Sequence, residues 1–184
     1  MVAYHFERAL FVVGLSGSGK STQLRSMFRD FRLGNEGKIP TANKLRNPYM
    51  LSNERCLYVK LRSPHEANET LAPSHKNNFL DKTERNFKNS SAVRRNFASA
   101  LQAGAKKQMP DIVDTVRAFV DRFNPERTRV AFINPDRRGN YLSEELQPKL
   151  IDRLRTIRSL ETCSIDARDA TANGLLLADF FDFT

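Results

Sequence analysis

This chain of 184 residues has no hydrophobic run approaching the roughly 20 residues needed to cross a bilayer. Its first residues also lack the cationic-then-apolar pattern of a secretory leader, so a cytoplasmic protein with no membrane partner is expected. There are only two cysteines, Cys56 and Cys163, each inside an apolar run that reads as a strand and without metal-ligand spacing. Buried thiols in a reducing compartment fit this better than a disulfide or a metal site. The three histidines, His5, His65 and His75, stand in separate polar contexts and are assigned no chemistry. No internal repeat or low-complexity segment is evident. The length suits one domain, large enough to bury a core without staples.

Charge is present in excess. Thirty basic residues stand against twenty-one acidic ones, a formal +9, which suits a polyanionic partner or a cationic surface around a nucleotide. The densest region, Lys82 to Lys107, interleaves Arg85, Lys88, Arg94, Arg95, Lys106 and Lys107 with Phe87 and Phe97. Such a pattern can stack on bases and grip phosphates. Phe87, Val93, Phe97 and Leu101 also have roughly helical spacing, and an amphipathic helix with its aromatics in the core is the preferred reading. Nucleic-acid binding stays open.

Glycine is scarce but concentrated. Gly14-Leu15-Ser16-Gly17-Ser18-Gly19-Lys20-Ser21-Thr22 fits the phosphate-loop pattern G-x-x-x-x-G-K-[ST] at every constrained position. A triphosphate needs many donors converging on it, and backbone N–H groups provide them only where side chains do not obstruct the approach. The loop opens onto a helix start, where unpaired amides favour an anion. Lys20 is expected to reach the β- and γ-phosphates of ATP or GTP. The Ser21 hydroxyl is expected on a Mg²⁺ ion, and Thr22 in the first helical turn. Gly14, Ser16, Gly17, Ser18 and Gly19 supply the cradle. The apolar lead-in Leu10-Phe11-Val12-Val13 and the helical spacing of Leu24, Met27, Phe28 and Phe31 give the motif its strand-loop-helix context.

The rest of the chain alternates strands and helices. Strands are expected at about 9–13, 56–61, 130–133 and 162–166. Helices are expected from Lys20 to about Phe31, as one or two segments between about 78 and 107, from Pro110 to Asn124, from Ser143 to about Ser159, and from Ala170 to Phe181. Gly34 to Asn53, with Gly37, Pro40 and Pro48, reads as a long loop. This alternation predicts an α/β three-layer sandwich with a mostly parallel sheet and its ligand at the carboxyl ends of the strands.

Magnesium at such a loop is usually also held by an acidic residue at the end of another strand. Asp136, after Val130 to Ile133, and Asp166, after Cys163-Ser164-Ile165, are the two candidates. Arg137 and Arg138 are placed to reach a transferring phosphoryl group, with Arg94 and Arg95 as a second candidate pair.

The stretch Phe11 to Thr22 resembles the opening of small phosphate-loop kinases, such as gluconate and nucleoside monophosphate kinases. Cys163-Ser164-Ile165-Asp166-Ala167 with the helix after it is similar to their closing strand and helix. Phe132-Ile133-Asn134-Pro135-Asp136 resembles a phrase of zeta-toxin-like kinases, where it stands earlier. The core resembles that of transporter ATPases too, but there is no Leu-Ser-Gly-Gly-Gln signature. The Asp-rich substrate motif of gluconate kinases is missing from Phe28 to Asn53. The kinase resemblance implies a P-loop nucleoside triphosphate hydrolase fold over 1–184, with loop or lid insertions at about 34–53 and 64–109. It also sets Arg137 and Arg138 at the start of a shortened lid, which takes Asp136 away from the metal.

These readings converge on a Mg²⁺-dependent, ATP-using phosphotransferase acting on a small molecule or nucleotide. The alternative is a regulatory or assembly NTPase whose nucleotide state switches binding to a protein or nucleic acid.

Overall fold

Apolar residues on both sides of a strand require cover on both faces of the sheet, and this requirement organises the computed structural model, which describes residues 5–88 and 90–181. In chain order the elements are β1 (His5–Val13), α1 (Lys20–Ser26), β2 (Tyr49–Met50), β3 (Arg55–Lys60), α2 (Phe79–Asn86), β4 (Arg94–Leu101), α3 (Ile112–Phe123), β5 (Arg127–Ile133), α4 (Leu146–Leu154), β6 (Leu160–Ile165) and α5 (Ala170–Phe181). The strands form one sheet in the order β2-β3-β4-β1-β5-β6. Every pairing is parallel except β2 with β3. No helix among the described residues is long and apolar enough to cross a membrane.

Alternation along the strands divides the core in two. Phe6, Phe11 and Val13 of β1, with Phe97 and Leu101 of β4 and Val130 and Phe132 of β5, pack against Phe79 of α2, Phe119 of α3 and Leu150 of α4. Leu10 and Val12, with Ala98, Ala100, Ala131 and Ile133, face Leu24 of α1 and Leu177 and Phe181 of α5. Large side chains fill the first face, whereas alanines on the second let α1 and α5 sit close to the sheet. Phe119 is the hub of the first layer, 5.0 Å from Phe97 in a stacked pair and 5.3 Å from Phe11 edge-on. It also meets Phe6, Phe79 and Phe123.

The main departure from the sequence expectation is β4. The region around Val93, Phe97 and Leu101 was expected to be helical, yet only α2 forms there, and a central strand follows. Residues four apart lie on one side of a helix and equally on one side of a strand, because four is a multiple of the strand period. Phe87 and Phe97 are fully buried, so the aromatics of the basic region serve the core rather than a surface for stacking bases. The segment 64–109, expected as an insertion, therefore supplies a strand at the centre of the sheet.

Smaller corrections have local causes. The first α-helix ends at Ser26 and gives way to 3₁₀ turns at Met27–Arg29 and Phe31–Leu33, because the Asp30 side chain accepts the Arg32 amide and restarts the turn. Phe31, expected on the buried face, is 78% exposed as a result. α4 is shorter than 143–159, and within 34–53 the two residues of β2 pair with β3. The helix expected from Pro110 to Asn124 forms over 112–123, with the Asp111 side chain accepting from the Asp114 amide and Asn124 in the left-handed region.

Phe119→Ala is expected to destabilise the fold by about 3–5 kcal/mol, since a buried ring with five ring neighbours leaves a cavity that the sheet cannot close. Urea denaturation of the two proteins reads this directly.

Candidate functional site

β1 ends between β4 and β5, and there the chain turns into the glycine loop. The Gly14 amide donates to the Leu101 carbonyl at the end of β4, 3.4 Å away. A Cβ at Gly14 would stand 2.6 Å from Ser18 Oγ and 3.2 Å from Ile133 Cβ, so a side chain there would displace the Ser18 hydroxyl. Gly19 has φ +99°, in the left-handed region, and its open face lies against the aliphatic stem of Arg137. The Ser18 amide donates back to the Leu15 carbonyl. The amides of Gly17, Gly19, Lys20 and Ser21 have no backbone acceptor among the described residues. The Ser18 hydroxyl, 1% exposed, has no hydrogen-bond partner there either. Donors converging in this state are free for an anion.

Lys20 is 5% exposed and donates from Nζ to the carbonyls of Gly14 at 3.1 Å and Leu15 at 2.6 Å. Burial pulls its pKa down to about 8, with Glu66 opposing that shift and Lys106 adding to it. The ammonium is thus held by carbonyls of its own loop. Around it is a cavity of about 220 Å³, lined by residues 17–22, Glu66 and Arg137. Ser21 Oγ donates to the Leu61 carbonyl at 2.7 Å, tying α1 to the end of β3. Gly14 contributes its carbonyl rather than lining the cavity, and Ser16 is exposed and outside the lining.

Of the acidic candidates, neither Asp136 nor Asp166 lines this cavity. Asp136 Oδ1 accepts the Arg138 and Asn140 amides at 2.7 and 2.9 Å, and Oδ2 accepts the Asn140 side chain at 3.2 Å. Burial works against its charge, but these bonds hold the carboxyl below its usual range. The residue braces a turn, as Asn-Pro-Asp sequences commonly do. Asp166 is paired with Arg168, which holds its carboxyl low through side-chain and backbone hydrogen bonds. Of the arginines, Arg137 lines the cavity and its amide donates to the Ser18 carbonyl, while Arg138 is exposed and outside the lining. Arg94 and Arg95 start β4, about 23 Å of strand from its end at the loop. There Arg94 pairs with the buried Glu7 at 3.0 Å and Arg95 lies over the Phe87 ring.

Glu66 is the carboxylate the structure brings to the loop instead. It stands in the turn that follows β3, where its amide donates to the Ser63 carbonyl. His65, fully buried, secures that turn. Its Nε2 donates to the Pro110 carbonyl at 2.8 Å, so Nδ1 is left to accept from the Ser63 hydroxyl at 3.2 Å. Burial keeps this imidazole below its usual pKa and therefore neutral. Gln102, the residue after β4, donates to Glu66 Oε1 at 3.3 Å. Reading the strand at 56–61 forward by one turn would have found Glu66. Gln102 was hidden because its strand read as a helix.

The Ser21 hydroxyl and Glu66 carboxylate are hard oxygen donors, the kind magnesium accepts beside phosphate oxygens. Among the described residues no group of three or more His, Cys, Asp or Glu side chains could hold a metal unaided. Comparison of the chain with protein families, curated proteins and solved structures gives no match.

A lysine whose folded pKa lies below its unfolded value loses stability through its charge. For Lys20 that cost is present below pH 8 or so and lifts as the pH rises from about 8 toward 10.5. A polyanion in the cavity reverses the shift. ADP binding at about pH 8.5 is therefore expected to take up protons through Lys20, and near pH 6, where Lys20 is already charged and the ADP phosphate itself titrates, to take up none. Calorimetric titration in two buffers of different ionisation enthalpy measures the uptake, and Lys20→Ala removes it.

Proposed function

We propose that this chain is a small P-loop kinase that transfers the γ-phosphoryl group of ATP, or of GTP, to an acceptor bound beside the glycine loop. The observation that carries the reading is the buried Lys20 ammonium, held only by carbonyls of a loop with unpaired amides and facing Glu66 and Arg137 across a cavity. A strand running into this loop and then a helix, at the carboxyl edge of a parallel sheet, supports the P-loop nucleoside triphosphate hydrolase fold.

In the transfer, an acceptor oxygen bonds to the γ-phosphorus. The bond from that phosphorus to the β,γ-bridging oxygen breaks, its electron pair leaving on the nucleoside diphosphate. An acceptor hydroxyl loses its proton to water in the open cleft. Lys20 leaves the Gly14 and Leu15 carbonyls to meet the phosphates, and the loop amides with the Ser18 hydroxyl donate to their oxygens. Arg137, anchored at Gly19, stabilises charge on the moving group. Ser21 and Glu66 would hold Mg²⁺, which supplies charge neutralisation on the β- and γ-oxygens.

Lys20→Ala is expected to lower phosphotransfer by on the order of 1,000-fold while the melting midpoint stays at or above that of the parent. An unchanged rate of ATP consumption would sink the proposal. Glu66→Gln is expected to raise the magnesium needed for half-maximal rate by about 10–100-fold, with metal-free ADP affinity retained.

A further inference from the structure

A second, larger cavity of about 660 Å³ shares a wall with the first. Glu66 faces the glycine-loop cavity, while Leu61, Arg62 and Ala67 from the same segment line the second one. The wall is tied on both sides. Ser21 holds the Leu61 carbonyl, and the Arg62 guanidinium donates to the Glu66 carbonyl at 2.7 Å.

The second cavity is lined by the cations Lys44, Lys60, Arg62, Lys82 and Arg85, against one carboxylate, Glu69. Glu69 Oε1 meets Lys60 at 2.8 Å and Lys82 at 3.5 Å, which leaves the lining strongly positive. Concave walls of low dielectric focus such a field on an anion. Burial also pulls the Lys60 ammonium below its usual pKa, with Glu69 opposing, and a second anion beside it would favour the charged form. Glu69 is 3% exposed, and its Oε2 has no hydrogen-bond partner. That oxygen is closed off, and Glu69 meets the lining cations through Oε1 alone. Tyr58, Leu45 and Leu61 add apolar surface for an organic body.

We infer that this cavity is the acceptor site and that its ligand is a small phosphate monoester, with the phosphate among the cations and the organic body against Tyr58, Leu45 and Leu61. The word acceptor rests on the phosphotransferase reading, whereas the binding of the ester does not. The new bond to the γ-phosphorus comes from an oxygen of the ester. A hydroxyl that attacks gives its proton to water, and an attacking phosphate oxygen has none to lose.

The test titrates the full chain with AMP, ribose 5-phosphate and glucose 6-phosphate, each beside its unphosphorylated counterpart, and separately with Mg-ADP. At least one ester is expected to bind below about 1 mM and its counterpart about tenfold more weakly or worse. Lys44→Glu, at an exposed position, is expected to weaken that ester about fivefold or more, and Lys60→Met further, with Mg-ADP binding kept within about twofold. Lys44→Glu keeps the test open if Lys60→Met fails to fold. The inference is overturned if no ester binds more tightly than its counterpart or if the folded variants bind it like the parent. It is equally overturned if Lys20→Ala abolishes ester binding, since the phosphate would then sit in the glycine loop. Ester binding without any Mg-ADP binding removes the phosphotransferase reading and leaves an anion site.

Discussion

The pairing of β1 with β4 on one side and β5 on the other decides where everything else in the cleft can stand. Val13 is in register with Leu101 and with Phe132, so three strand ends come level at the point where the glycine loop begins. From those ends come Gln102 on one flank and the turn carrying Arg137 on the other. β3, one strand further out, delivers Glu66. The pairing holds because β1 is buried on both faces, with phenylalanines meeting α3 and its neighbours and smaller side chains meeting α1 and α5.

Much of this was readable from the residues. The strand into the loop, the glycine positions, Lys20, Ser21, Arg137 and the α3 helix between Asp111 and Asn124 all follow from local rules, because each depends on neighbours within a few positions. β4 did not, since Val93, Phe97 and Leu101 satisfy two periodicities and only tertiary pairing chooses between them. The carboxylate that lines the glycine-loop cavity was not read from the sequence for a related reason. Asp136 has a strand end before it, as a metal-binding carboxylate should, but the backbone amides of residues 138 and 140 claim its Oδ1 and the Asn140 side chain its Oδ2. Glu66 depends on a turn anchored through His65 to a carbonyl 45 positions away, a contact no local pattern announces.

The cationic excess is unevenly resolved. At the amino edge of the sheet, Glu7 gathers Arg55 and Arg94 at 3.1 and 3.0 Å, with Asn96 at 3.1 Å on its other oxygen. These arginines are tied to a buried carboxylate within the sheet. At the carboxyl edge a single buried carboxylate, Glu69, faces several cations around a cavity, and Lys20 lies just beyond the shared wall. The same composition thus serves packing at one end of the sheet and lines the cavities beside the glycine loop at the other.

The bond from Ser21 to the Leu61 carbonyl also fixes what the loop can recognise. A hydroxyl has one proton, and a carbonyl can only accept it, so Ser21 offers the cleft lone pairs and nothing else. Between unpaired amides that select for anions, the fold has set one atom with the opposite preference. Under the proposed function, a bare polyanion would meet repulsion at that spot, whereas one accompanied by a cation would not.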